Sequence, residues 1–110
     1  FETTDELYLM ELHGDLDVLL EADYDGKAEG FVEEDWPQET WPVFYTKKVE
    51  KGEVLYLTLG HCRGHYDMHD LPEPLEYYPS VERCAWDLPV FYTLLRRGIN
   101  WAKEEVFINK

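Results

Sequence analysis

The densest run of side chains able to do chemistry is Gly60-His61-Cys62-Arg63-Gly64-His65-Tyr66-Asp67-Met68-His69-Asp70. Three of the 4 histidines fall in it, at positions 61, 65 and 69. On a helix that spacing would stack them on one face as a metal site. Gly60 and Gly64 argue instead for a loop, where the spacing carries no such meaning and the rings serve local hydrogen bonds. His61 is set apart by its position. It follows an apolar run, Val54 to Leu59, that reads as a buried strand, and in open α/β sheets ligands bind beyond the carboxyl ends of the strands. A histidine there is placed for general acid or base work near neutral pH. Asp67, or an acid from the pair Asp5-Glu6, would orient it. Arg63 would bind a carboxylate or a sugar hydroxyl. Tyr66, Tyr77, Tyr78 and Trp86 would either stack on a sugar ring or pack the loop onto the core. Cys62 is a weaker candidate nucleophile, because nothing in the sequence argues for a lowered thiol pKa.

The elements that must position these residues are legible to different degrees. Val43 to Val49 is β-branched and aromatic, and Val54 to Leu59 is a nearly unbroken apolar run. Joined by Glu50-Lys51-Gly52, with Gly52 supplying the positive φ of the turn, they predict an antiparallel hairpin whose second strand is covered on both faces. Asp17 to Ala22 predicts a short strand. Asp23 to Thr40, rich in Gly, Asp and Glu, predicts a surface excursion, with Glu33-Glu34-Asp35 a solvated patch. Asp5 to Leu12 fits either a helix or extended chain, and Gly14-Asp15 ends it. Cys62 to Trp86 has no periodicity and reads as a long loop. Asp87 then predicts an N-cap, and Leu88 to Ala102 a helix resting on a sheet. Its apolar stripe is Phe91, Leu94, Leu95, Gly98 and Ala102, widened by Ile99 and Trp101.

Composition narrows the classes of partner. The 110 residues predict a single domain, and the formal net charge is −14. Fifteen of the 24 acids stand in residues 1–50. Such a chain lacks the basic footprint for phosphate backbones and is repelled by anionic membranes, so neither nucleic acid nor membrane is expected as a partner. No apolar run approaches a membrane span. A hydrophobic content of 45% is enough for a core and argues against disorder. Two cysteines, Cys62 and Cys84, form no disulfide framework and suit a reducing, cytoplasmic compartment. The chain opens without Met or signal-peptide pattern, so it is expected to continue upstream of Phe1.

Taken in order, Asp5-Glu6-Leu7-Tyr8, Trp41-Pro42-Val43, Lys51-Gly52-Glu53-Val54, Leu59-Gly60-His61, Gly60 to Met68, Tyr78-Pro79 and Leu94 to Ala102 resemble the ThuA-like (trehalose utilisation) domain family. The resemblance spans nearly the whole chain. It implies the C-terminal half of a flavodoxin-like, class I glutamine amidotransferase-like doubly wound α/β sheet, the first strands lying upstream. It also implies a role in catabolism of trehalose or its 3-keto derivatives. In amidotransferases of this fold the catalytic histidine follows the strand after a late hairpin, the place His61 holds here. The acidic tract from Glu29 to Glu39 has no counterpart in the family pattern. The expected site therefore has His61 and Asp67 as catalytic groups and Asp5, Glu6, Tyr8, Arg63, His65 and Tyr66 as substrate contacts. No cofactor or metal ligand set is assigned. The partner is a small molecule, a sugar, and a homo-oligomer is compatible with the sequence. Two other readings stand beside this one: a non-catalytic module binding a sugar or a protein, and a metal-dependent hydrolase using His61, His65 and an acid. Half a doubly wound sheet would need its missing half or a partner chain for stability.

Overall fold

The computed structural model describes residues 1–27, 35–62 and 82–108. These fold as mixed α and β structure in two compact units, one of Leu7–Thr58 and one of Phe1–Glu6 with Leu59–Lys110.

The first unit is a three-stranded antiparallel sheet in the order β1 (Asp17–Lys27), β2 (Asp35–Val49), β3 (Gly52–Leu57). β2 is central, and its Trp41, Val43, Phe44, Tyr45 and Thr46 are buried. Bulky aromatic and β-branched side chains suit a pleated surface flanked on both sides, which explains why this run takes the middle place. Across it the register aligns Leu20, Phe44 and Leu57 on one face, and Val18, Tyr45 and Tyr56 on the other. The rings of Tyr45 and Tyr56 lie 5.5 Å apart. Burial, with the Tyr56 hydroxyl nearby, pushes the Tyr45 phenol above its ordinary pKa. Thr58 continues the ladder past β3: its N–H and its hydroxyl both donate to the Val43 carbonyl, at 2.9 and 3.3 Å.

The hairpin of β2 and β3 is present as expected, with two corrections. Gly52 is not the positive-φ residue. Val49 pairs with Gly52, so the loop is Glu50-Lys51, and Glu50 takes φ of 54°. Positive φ at the first loop residue only is the type II′ pattern, a position that usually selects glycine. Nor is β3 covered on both faces. Its residues alternate, with Val54 and Tyr56 49% and 43% exposed on the face open to solvent and Glu53, Leu55 and Leu57 half-buried on the other.

The excursion expected from Asp23 to Thr40 is also corrected within the described residues. β1 runs on to Lys27 and β2 begins at Asp35, the two pairing down to Lys27↔Asp35. Glu21, Asp23 and Asp25 point to solvent while Leu20, Ala22 and Tyr24 are half-buried, the period of two expected of a strand with one wet face. Asp35 is exposed, as a solvated patch requires; residues 28–34 lie outside the described set. Three register shifts bend β1, and Leu19, 53% exposed, sits at the first of them without a partner across the ladder. Asp5 to Leu12, left open between helix and extended chain, has no regular structure. Trp41 holds the one buried side-chain polar atom without a hydrogen-bond partner among the described residues, its indole Nε1.

In the second unit a 3₁₀ turn (Cys84–Asp87) leads into α1 (Pro89–Ile108). The helix is longer than the sequence pattern predicts, and Asp87 is not its N-cap. Asp87 belongs to the 3₁₀ turn, and its carboxylate instead takes the Arg83 Nε–H at 2.9 Å. Pro89 opens the helix, where its missing N–H costs nothing. Phe91 and Leu94 of the apolar stripe are buried, whereas Ile99 (57%) and Ala102 are exposed. Among the described residues no helix is long and apolar enough to cross a membrane.

Candidate functional site

The polar centre of the second unit is built on one carboxylate. Asp5 Oδ1 accepts the N–H groups of Glu6 at 2.8 Å and His61 at 3.2 Å. Asp5 Oδ2 accepts those of Gly60 at 3.0 Å and Ala85 at 3.4 Å. A carboxylate offers about four lone-pair sites, so backbone donors take up the acceptor capacity of this side chain. Three stretches of chain are thereby tied together: the residues at Asp5-Glu6, the turn at Gly60-His61, and the 3₁₀ turn at Ala85. The sequence separation is 55 residues in one bond and 80 in another.

Gly60 is held from every side. Its N–H is on Asp5, and its carbonyl accepts the Trp86 indole N–H at 2.7 Å. Its φ is +110°, which L side chains rarely adopt, and a Cβ there would meet Phe91 Cζ at 2.8 Å. Only glycine fits this combination of backbone angle and close approach. Trp86 in turn packs edge-on against Phe91, ring centroids 4.8 Å apart, with Tyr92 beside both. The Tyr92 hydroxyl donates to the Trp86 carbonyl at 2.9 Å. Of the two roles open to Trp86, stacking on a ligand or packing, these contacts supply the packing one.

The consequence for His61 is that its backbone is fixed at the nitrogen while its ring is free to face a charge. His61 Nδ1 lies 3.2 Å from a Glu6 carboxylate oxygen. The His61 and Glu6 side chains are 28% and 38% exposed, so the pair is sheltered but reachable from solvent. An imidazole whose Nδ1–H is given to a carboxylate keeps Nε2 as the nitrogen that can exchange a proton with a third group. This is the orienting logic of a carboxylate–histidine dyad.

Cys62 and Cys84, both half-buried and neither in a disulfide, flank the same knot. Cys84 adopts φ of 51°, a left-handed backbone uncommon for a non-glycine residue. Burial pushes its thiol up, helped by the neighbouring charges of Asp5, Glu82, Cys62 and Glu6.

Of the site residues expected from sequence, Asp5, Glu6 and His61 come together here. Tyr8 belongs to the other unit and is 46% exposed. Arg63, His65, Tyr66 and Asp67, together with His69, Tyr77 and Tyr78, lie outside the described residues. Among the described residues no group of three or more His, Cys, Asp or Glu side chains is arranged to hold a metal ion. Sequence reasoning missed the contributions of Ala85, through its N–H, and of Phe91, through its ring. The one local signal for the second is the glycine directly before the candidate histidine, which permits a close approach. The chain matches no family model, no curated protein and no solved structure.

Proposed function

We propose that this chain is part of a ThuA-like domain acting on a sugar of the trehalose or 3-keto-glycoside class, with His61 as general acid or base. On this reading the sheet and helix form the C-terminal half of a flavodoxin-like, class I glutamine amidotransferase-like doubly wound fold. The observation that carries the proposal is the meeting of two distant motifs. Asp5-Glu6 opens the first and Gly60-His61 closes the other, and they are joined by the Asp5 bonds to the Gly60 and His61 N–H groups and by the Glu6–His61 pair.

The geometry supports the following roles for Asp5, Glu6 and His61. Asp5 is a positioning residue, because its oxygens are on backbone N–H groups. Glu6 orients the His61 ring through its Nδ1 nitrogen. His61 Nε2 removes a proton from, or returns one to, a sugar hydroxyl or a water. Asp67 is the proposed second catalytic group, and Arg63, His65 and Tyr66 are the proposed substrate contacts. The setting we propose is cytoplasmic, with no cofactor and with homo-oligomers allowed.

Turnover of 3-keto-disaccharides by the intact protein is the test, with His61→Gln and Glu6→Gln compared with the parent. Loss of a general acid–base group typically removes about 10²–10⁴-fold in rate. His61→Gln is expected to fall in that range with its circular dichroism unchanged, and Glu6→Gln to fall less. Full activity in His61→Gln overturns the catalytic assignment. Sugar binding without turnover in the parent overturns catalysis in favour of a binding module.

A further inference from the structure

Both cysteines of the chain lie at the Asp5 knot, on two of the three segments it ties. Asp5 Oδ2 accepts both the Gly60 N–H and the Ala85 N–H, so these backbone atoms lie within two hydrogen-bond lengths of each other. Cys84 is bonded directly to Ala85, and Cys62 follows His61, whose N–H is on the other oxygen of the same carboxylate. One carboxylate therefore draws together the segment that carries Cys62 and the segment that carries Cys84. Cys84 is also the residue of this turn held in left-handed backbone, and strained conformations concentrate where a segment has a task beyond packing.

We propose that Cys62 and Cys84 form a reversible intramolecular disulfide, a redox lock on the segment that carries His61. The inference does not depend on what the site binds. The chemistry is thiol–disulfide exchange with a small-molecule disulfide such as oxidised glutathione. Burial and the surrounding carboxylates push the Cys84 thiol up, so Cys84 serves as the second, resolving thiol. The Cys62 thiolate displaces one glutathione thiolate and forms a mixed disulfide. The Cys84 thiolate then attacks the Cys62 sulfur, closes the protein disulfide and releases the second glutathione. One dithiol and one disulfide become one disulfide and two thiols, with no other oxidant needed. The closed bond holds by covalent linkage what Asp5 holds by hydrogen bonds, so His61 stays in register even when that carboxylate is lost.

Trypsin offers a direct readout, because it cuts after Lys51, Arg63, Arg83 and Arg96. The protein incubated with oxidised glutathione should lose two hydrogens in mass and yield peptide Gly52–Arg63 linked to peptide Cys84–Arg96. Cys84→Ser should stop at the mixed disulfide on Cys62. Ring closure in the parent should speed up as pH rises through the alkaline range, because Cys84 must ionise to attack. In Asp5→Asn the oxidised form should keep more of its thermal stability than the reduced form does. Stable glutathione adducts on both cysteines without the linked peptide overturn the proposal, as do disulfide-linked dimers in its place.

Discussion

Asp5→Asn is the sharpest perturbation of the knot, because it preserves volume and shape while changing what the side chain can accept. The parent carboxylate receives four backbone N–H groups, from Glu6, Gly60, His61 and Ala85. An asparagine keeps one oxygen and replaces the other with an NH₂ group, which meets two N–H donors with donors of its own. Two bonds are therefore lost whichever way the amide turns. Bonds to a charged acceptor are worth about 1.5–3 kcal/mol each when well buried. Asp5 is half-buried and the Ala85 bond is long, so about 1 kcal/mol per bond is the appropriate figure here. Two losses cost about 2 kcal/mol, and the two surviving bonds, no longer charge-assisted, fall to roughly half their strength. The expected destabilisation is about 3 kcal/mol, a large fraction of the roughly 5–15 kcal/mol a native domain holds. Urea unfolding should show it as a lower midpoint at unchanged slope. Amide exchange should show the largest loss of protection at Gly60, His61 and Ala85. Asp15→Asn, an exposed acid elsewhere in this highly negative chain, controls for charge alone and should stay within about 0.5 kcal/mol. A loss below about 0.5 kcal/mol in Asp5→Asn would refute the reasoning, since it would mean water replaces the carboxylate at no cost.

Two further substitutions read the same principles elsewhere. Trp86→Phe and Trp41→Phe remove similar indole area but opposite hydrogen-bond states: Trp86 donates to Gly60 at 2.7 Å, whereas the buried Trp41 Nε1 has no partner. Trp86→Phe should be the more destabilising by about 2 kcal/mol, one part for the bond and one for the unsatisfied donor removed at Trp41; equal midpoints in denaturant would show that neither polar state matters. Glu50→Gly should stabilise by about 0.5–1 kcal/mol, because relief of the left-handed strain at φ of 54° exceeds the added entropy of glycine in the unfolded chain. A lower melting temperature for that variant would mean the Glu50 side chain makes a contact worth more than its strain.

What could be read from residues alone divides along a physical line. The β2–β3 hairpin was legible because its information is local: β-branched and aromatic side chains favour the extended backbone wherever they stand. The turn was misassigned because glycine is the usual bearer of positive φ, yet pairing from Val49 to Gly52 left only Glu50-Lys51 to make it. In β1 the composition misled while the order did not. Acids at 23 and 25 suggest a surface excursion beyond the expected strand Asp17 to Ala22, but their alternation with Ala22 and Tyr24 continues the strand period. The helix start was misplaced for a related reason, since Asp87 had a stronger local partner in Arg83 than the helix terminus offered.

The site divides the same way. His61, Glu6 and Asp5 were nameable as candidates because their types suit the chemistry. Their roles were not, because a carboxylate can accept from any backbone N–H that the fold brings near, and N–H groups are alike at every position except proline. That Asp5 serves Gly60, His61 and Ala85 while Glu6 serves the His61 ring is therefore a property of the folded chain, set by contacts across 55 and 80 residues. Gly60 is where the two kinds of information meet. Sequence marks it as the one residue there able to turn at φ of +110°, and the fold uses that freedom by filling the space of the absent side chain with Phe91. The aromatic ring thus enforces, from the helix, the turn that delivers His61 to Glu6. A change at Phe91 would loosen the histidine without touching any polar atom of the site.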